Sequence, residues 1–483
     1  MSWGVEGADA LRLAPGDVDV SGLSGFTVRP GVTTTYTLYA ANGVGEVAAS
    51  VEVRVAAEPP PARLVRPLLV AGQSNAQGRN VAAALAASYV TADAGVAMLG
   101  NDDVWKVAYE PLDDCTDQVD SVSVDPGGGT EPCVAMGNSG VSMGVAFGNA
   151  LTAAVGDEVL LIPAARGGSD LVGNLVPPRD WEPTPVRDDP STLFGSAVRR
   201  WRLADDRGAS PEHGALFWYQ GESEATSDRY PLFQARTDVV FDAFTDEIGA
   251  PIIFVQLSRY VPLATEDPQL RNLLYQQVRE RQRTMETDAT TLAGTAASTA
   301  EPDRYMVVTH DLPMFDRNHL SVAAQLELGR RVALAFREHV LGEAVDGTGP
   351  RLDGIDRAAG DANVYVRFDR PVTAPQTPTA AAYAGYFRVF EGATELAIAS
   401  IDRDAVDPAT VRILLAAPPS SVVSVRYMPP TELGDGIEVD VIRAATYAEP
   451  IPGTQACLPA PAFGDATGSV SMLGFELPEV YEE

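Results

Sequence analysis

Cysteine and histidine are scarce in this chain of 483 residues, with three of the first and four of the second. Three cysteines, Cys115, Cys133 and Cys457, exclude a disulfide scaffold. Cys115 and Cys133 flank a polar, glycine-rich segment and form a candidate pair, which leaves Cys457 over. Positive charge is also short: 35 Lys and Arg stand against 66 Asp and Glu, a net charge of −31. That balance argues against nucleic acid, whose phosphates need a basic face, and against anionic membrane surfaces. It suits a salty or extracellular setting, where screening reduces self-repulsion. No run approaches the ~20 apolar residues of a membrane span. Met1-Ser2-Trp3-Gly4-Val5-Glu6 has no basic region followed by an apolar one, so no classical leader is expected. Three expectations remain open: a cytosolic protein, an unusual export route, or a leader already removed.

What is present fits a globular protein: 45% of residues are apolar and 21% charged. At ~100–200 residues per domain, the length predicts two to four domains. Residues 1–58 read as all-β. Thr33 to Ala40 is rich in β-branched and aromatic residues, and Asn42-Gly43 is a turn signal. Val47, Val51 and Val53 then alternate with polar residues, the pattern of a strand with one buried face. The unit resembles a small bacterial immunoglobulin-like sandwich, and Pro59-Pro60-Pro61 follows as a stiff spacer.

Over residues 64–342 the pattern changes to continuous apolar runs separated by helix-period segments. The runs are Leu68–Val70, Val159–Ile162, Ala215–Trp218, Ile252–Val255 and Met306–Val308. Such runs predict strands buried on both faces of a parallel sheet, hence a three-layer α/β/α domain. Helices are expected around Met143-Phe147-Leu151, around Val239-Phe241-Phe244, over 270–285, and over 321–340 with Ser321 as N-cap. Residues 348–447 read as a second all-β sandwich, and 448–483 as a tail that is ordered only when docked.

Four segments at predicted strand ends carry chemistry, because ligands in open α/β sheets bind beyond the carboxyl ends of strands. Gly72-Gln73-Ser74-Asn75 presents a serine on a tight turn. Asp316-Arg317-Asn318-His319 offers a base with a carboxylate three residues away. A serine needs such a base, and the base needs an orienting acid. Of the four histidines only His319 has a carboxylate at close spacing in a strand-end loop; His310, followed by Asp311, is the alternative. Arg166-Gly167-Gly168-Ser169 permits close backbone approach to an oxyanion. Trp218-Tyr219-Gln220-Gly221-Glu222-Ser223-Glu224 adds an amide and a carboxylate. Singly, each segment is equally an ordinary cap or turn.

Together the four blocks resemble the SGNH hydrolase superfamily, and within it the sialate O-acetylesterase and carbohydrate esterase family six branch. The resemblance implies a flavodoxin-like SGNH domain over 64–342 and a serine esterase that removes O-acetyl groups from carbohydrate. By that resemblance Ser74 is the nucleophile, His319 the base and Asp316 its partner. Ser74, Gly168 and Gln220 would form the oxyanion hole, since the Asn used elsewhere in the superfamily is missing here. Gln73, Asn75 and Glu222 would support the site, with Glu222 a rival of Asp316 for the acid role. Arg79 and Arg166 are candidates to bind a substrate carboxylate, or form structural ion pairs.

No metal or cofactor is expected. Asp102-Asp103 and Asp113-Asp114 lack EF-hand spacing and read as solvated loop faces. The polar segment 97–138 is a candidate pocket wall. The expected partner is an acetylated glycan. The β modules are candidate contacts for other virion or cell-surface proteins, or for a second copy of the chain. A degenerate glycan-binding copy of the fold, or a phage tail protein displayed on the virion, are the rival readings, with an extracellular or virion-surface location expected and the cytoplasm left open.

Overall fold

A parallel sheet that changes direction at its first strand places every candidate residue. The computed structural model describes residues 1–28, 34–53, 64–81, 83–114, 119–120, 140–171, 180–261, 266, 268–286, 303–373, 387–427, 443–444 and 463–468. Cys115, Cys133 and Cys457 lie outside the described residues. The chain divides into Met1–Arg63 and Leu64–Glu483.

In the first unit β1 (Ala10–Ala14), β2 (Val18–Asp19), β3 (Thr34–Asn42) and β4 (Gly45–Val53) form one antiparallel sheet in the order β2-β1-β3-β4. The Asn42 side chain accepts from the N–H groups of Val44 and Gly45 and closes the β3–β4 hairpin. The two-layer sandwich expected from sequence is not formed by the described residues, which make a single sheet. Its buried apolar residues are Leu13 and Val20. The buried face expected for β4 is also absent: Val47 is 72% and Val51 51% exposed. Alternation marks which side chains share a face, and only a second layer buries that face.

The second unit is built on β5 (Val65–Gly72), β6 (Val96–Leu99), β7 (Trp105–Val107), β8 (Glu158–Pro163), β9 (Ala215–Tyr219), β10 (Ile252–Gln256) and β11 (Arg304–Val308). Their order is β11-β10-β9-β5-β8-β6-β7, parallel throughout except for the β6–β7 pair. The chain starts at β5, moves to the β6 side, returns to β8, then crosses β5 to reach β9. The crevice above β5 is thus the topological switch point, the usual place for a ligand in such sheets. The five apolar runs are all strands of this sheet. Helices α1 (Ser74–Gln77), α2 (Ala83–Ala86), α3 (Gly144–Val155), α4 (Leu193–Asp206), α5 (Phe233–Ile248), α6 (Pro268–Thr284) and α7 (Val322–Ala335) connect the strands. Helix α3 packs on α7, and α4 on α5. Ser321 caps α7, its side chain accepting from Ala324 N–H. Phe241 and Phe244 of α5 are buried, but Val239 faces outward.

After residue 348, β12 (Leu352–Asp356), β13 (Asn363–Phe368), β14 (Val372–Thr373), β15 (Phe387–Glu391), β16 (Thr394–Leu396), β17 (Ile398–Arg403), β18 (Thr410–Leu415), β19 (Val423–Tyr427), β20 (Arg443–Ala444) and β21 (Phe463–Gly468) follow. Two four-stranded antiparallel sheets, β12-β13-β18-β17 and β16-β15-β19-β21, share a core that includes Val366, Ile413, Val389 and Val425. The region expected as a tail therefore supplies a strand, β21. Arg351 ties these sheets to the α/β layer through a buried 2.6 Å contact to Glu286.

Asp113 is buried against Asn101, Asp103 pairs with Arg199, and Asp102 with Lys106, so the acidic clusters are not solvated faces. The chain turns sharply after β5 at Gly72, whose φ is +124°. A Cβ there would lie 2.2 Å from the Tyr219 carbonyl oxygen. Gly72→Ala should therefore destabilise the protein by about 2 kcal/mol or more, read by denaturant unfolding; an unchanged midpoint would show that the turn can relax.

Candidate active site

Ser74 follows that turn directly, as the first residue of α1, above the end of β5. Its Oγ lies 2.9 Å from Nε2 of His319. Nδ1 of the same ring lies 2.7 and 2.9 Å from the two carboxylate oxygens of Asp316. A carboxylate at Nδ1 selects the tautomer that carries its proton there, leaving the Nε2 lone pair for the serine hydroxyl. Burial opposes the Asp316 charge. The His319 ring and the N–H groups of Asn318 and His319 outweigh it and hold the carboxyl at about 2. The acid is thus ionised over any ordinary working pH.

Asn75 fixes the Ser74 turn to the loop that carries His319. Its side-chain N–H donates to the Asn318 carbonyl at 2.9 Å and to Glu222 Oε1 at 2.6 Å. Its side-chain oxygen accepts from Leu320 N–H, and its carbonyl accepts from the Gln325 amide. Burial raises Glu222 to about 7, with Asn75 opposing. Glu222 touches Asn75 rather than His319, whose Nδ1 faces Asp316.

Ser74, His319, Asp316 and Glu222 border a cleft of about 240 Å³, together with Gln73 and Gly168. Gly168 holds left-handed backbone at φ +69°. Gln73 accepts from Ser223 N–H, and its own N–H donates to the Tyr219 carbonyl. Two expected site residues are elsewhere. The Gln220 side-chain amide is buried behind the cleft and donates to the Ser169 carbonyl at 2.9 Å and to Glu224 at 3.2 Å. An amide has two N–H groups, and both are spent there, so Gln220 is not placed as an oxyanion donor. Arg166 is 4% exposed and is not part of the cleft wall. Arg79 and Arg317 border the cleft instead. His310 is buried with its ring nearly perpendicular to that of Tyr427, and Asp311 is bound to Arg331. The 97–138 segment contributes none of its described residues to the cleft.

Arg317 and Glu224 lie inside two of the sequence blocks, where residue type alone assigns them no role. The first sits inside the Asp-x-x-His block, and a four-residue motif on a turn exposes more than its terminal residues. Glu224 is fully buried, accepts from Leu171 N–H at 2.9 Å, and is raised by burial to about 8.

Residues 66–338, more than half of the chain, match the family described as carbohydrate esterase, sialic acid-specific acetylesterase. The chain belongs to this carbohydrate esterase family. Membership supports an O-acetylesterase activity. No curated protein matches the chain. Among solved structures, a carbohydrate acetylesterase from Xanthomonas citri is similar at 16% identity and TM-score 0.50, covering 95% of this chain and 93% of that one. That similarity shows a shared fold. A protein from Arabidopsis thaliana (21% identity, TM-score 0.41) covers 57% of this chain and 98% of its own. NanS (14%, TM-score 0.39) covers 58% of this chain and 99% of its own.

Burial also raises Glu110 to about 7 and Asp113 to about 6. With Glu222 and Glu224 they hold protons more tightly folded than unfolded. Their contribution to stability is complete below the ordinary carboxylate range and is lost as pH rises through about 6–8. Melting temperature should fall between pH 5 and pH 8, and fall less in Glu222→Gln. An equal fall in both would show that Glu222 is already ionised in the folded protein.

Proposed function

We propose that this protein is a serine esterase that removes O-acetyl groups from carbohydrate through an acyl-enzyme. The observation that carries this reading is the Ser74–His319–Asp316 hydrogen-bonded series at the switch point of the sheet. Ser74 Oγ attacks the acetyl carbonyl carbon while His319 Nε2 takes its proton. The negative oxygen of the tetrahedral intermediate is met by the Ser74 and Gly168 N–H groups. The carbon–oxygen bond to the sugar breaks, and His319 returns its proton to the leaving hydroxyl. Water then attacks the acyl-enzyme with His319 again as base, releasing acetate and free Ser74. Asp316 orients the ring and stabilises its positive charge. Asn75 and Glu222 hold the nucleophile turn.

Arg79 and Arg317 border the cleft and, among the described residues, make no ion pair. In a chain of net charge −31 they are the local cations that meet an acidic sugar. Acetate release from an acetylated chromogenic ester and from acetylated glycans tests the reading. Ser74→Ala should reduce it to background, and Asp316→Asn should cost about 10³–10⁴-fold in kcat, far more than Glu222→Gln. A wild type inactive on both substrate kinds would refute the activity, and an active Ser74→Ala the nucleophile. Arg317→Glu should raise KM about tenfold for an acetylated sugar carrying a carboxylate and leave KM for a neutral aryl acetate unchanged. Equal effects on both would remove Arg317 from substrate recognition.

A further inference from the structure

Behind the cleft, the Gly167–Gly168 loop is held from two sides by side chains that do not face the substrate. On one side Gly167 N–H donates to Gln77 Oε1 of α1 at 2.8 Å. The loop is close to the nucleophile there: a Cβ on Gly167 would lie 3.5 Å from Ser74 Cβ and 2.9 Å from that Gln77 oxygen. On the other side three bonds converge from the end of β9. Gln220 Nε2 donates to the Ser169 carbonyl, Ser169 Oγ reaches Gln220 Oε1 at 3.4 Å, and Glu224 Oε1 accepts from Leu171 N–H. Glu224 Oε2 accepts from the same Gln220 amide and so fixes which way that amide points. Trp181 Nε1 donates to Ser169 Oγ at 3.1 Å and closes the network. Gln220, Glu224, Ser169 and Trp181 are all buried, so these bonds are shielded from competing water.

We propose that Gln77, Gln220 and Glu224 are positioning residues that clamp the Gly167–Gly168 loop between the nucleophile turn and the end of β9, setting the distance from Gly168 N–H to the oxyanion. The proposal rests on the esterase reading above. It gives the Trp-Tyr-Gln-Gly-Glu-Ser-Glu segment a function that needs no contact with substrate. An oxyanion donor acts only on the charge that develops in the transition state, so loss of its position lowers kcat and leaves substrate affinity alone. A small displacement of such a group has a large effect on rate.

The test compares kcat and KM for acetate release in the full chain, with folding checked by melting temperature. Glu224→Gln keeps an acceptor for Leu171 N–H but turns an N–H group toward the Gln220 amide. Gln77→Ala removes the acceptor for Gly167, whereas Gln77→Glu restores one. Glu224→Gln and Gln77→Ala should each lower kcat about 10–100-fold with KM within about twofold, and Gln77→Glu should return kcat to within about threefold of wild type. If Glu224→Gln does not fold, the Gln77 pair on the opposite flank decides alone. Folded variants with wild-type kcat, or Gln77→Glu as slow as Gln77→Ala, would overturn the clamp while Ser74→Ala remains inactive. An active Ser74→Ala would instead overturn the esterase reading on which the clamp depends.

Discussion

One buried amide joins the segments on which the whole site depends. Asn75 follows Ser74 at the end of β5, and its side chain bonds both the Asn318 carbonyl and the Leu320 N–H. Those groups flank His319, 245 residues away in sequence from Ser74. The 2.9 Å separation between His319 Nε2 and Ser74 Oγ is therefore set by hydrogen bonds one residue away on each side. Glu222 adds β9 to the same amide, so three strand ends meet at one side chain. A buried amide with unmet groups is costly, and here that cost favours a single arrangement of the loops.

The sheet explains why these loops meet at all. β5 lies between β8 and β9, and the chain leaves on one side before crossing to the other. The loops after β5, β8 and β9 consequently surround one crevice, and the β11–α7 loop brings His319 over it. The Gly167–Gly168 loop, Ser74 and His319 thus follow three different strands.

Much of this was legible in the residues. Continuous apolar runs marked five strands, because strands buried on both faces need no alternation. Val96–Leu99 gives no such signal: four residues between two glycines carry too little pattern. Helix α4 is masked in the sequence for a different reason, since arginines interrupt its apolar face and Arg200 itself is buried against Asp120. Ser74, His319 and Asp316 could be read as a set because each chemical role demands a particular residue type. The oxyanion role does not. Gln220 has the right type and the right strand end, but its amide is turned inward to the Ser169 carbonyl. Arg166, next to Gly167 in sequence, is buried, which leaves the structural alternative for it and not the cleft wall. In unit one, alternation along β4 does not mean burial, because only a covering layer buries a face.

The central claim is that His319 activates Ser74. The most direct measurement is covalent labelling with a phosphonate ester that reacts only with activated serines, with the adduct located by peptide mass spectrometry. The account predicts a single adduct on Ser74, formed at least about 10²-fold more slowly in His319→Ala. An adduct on another residue, or an unchanged labelling rate in folded His319→Ala, would contradict it.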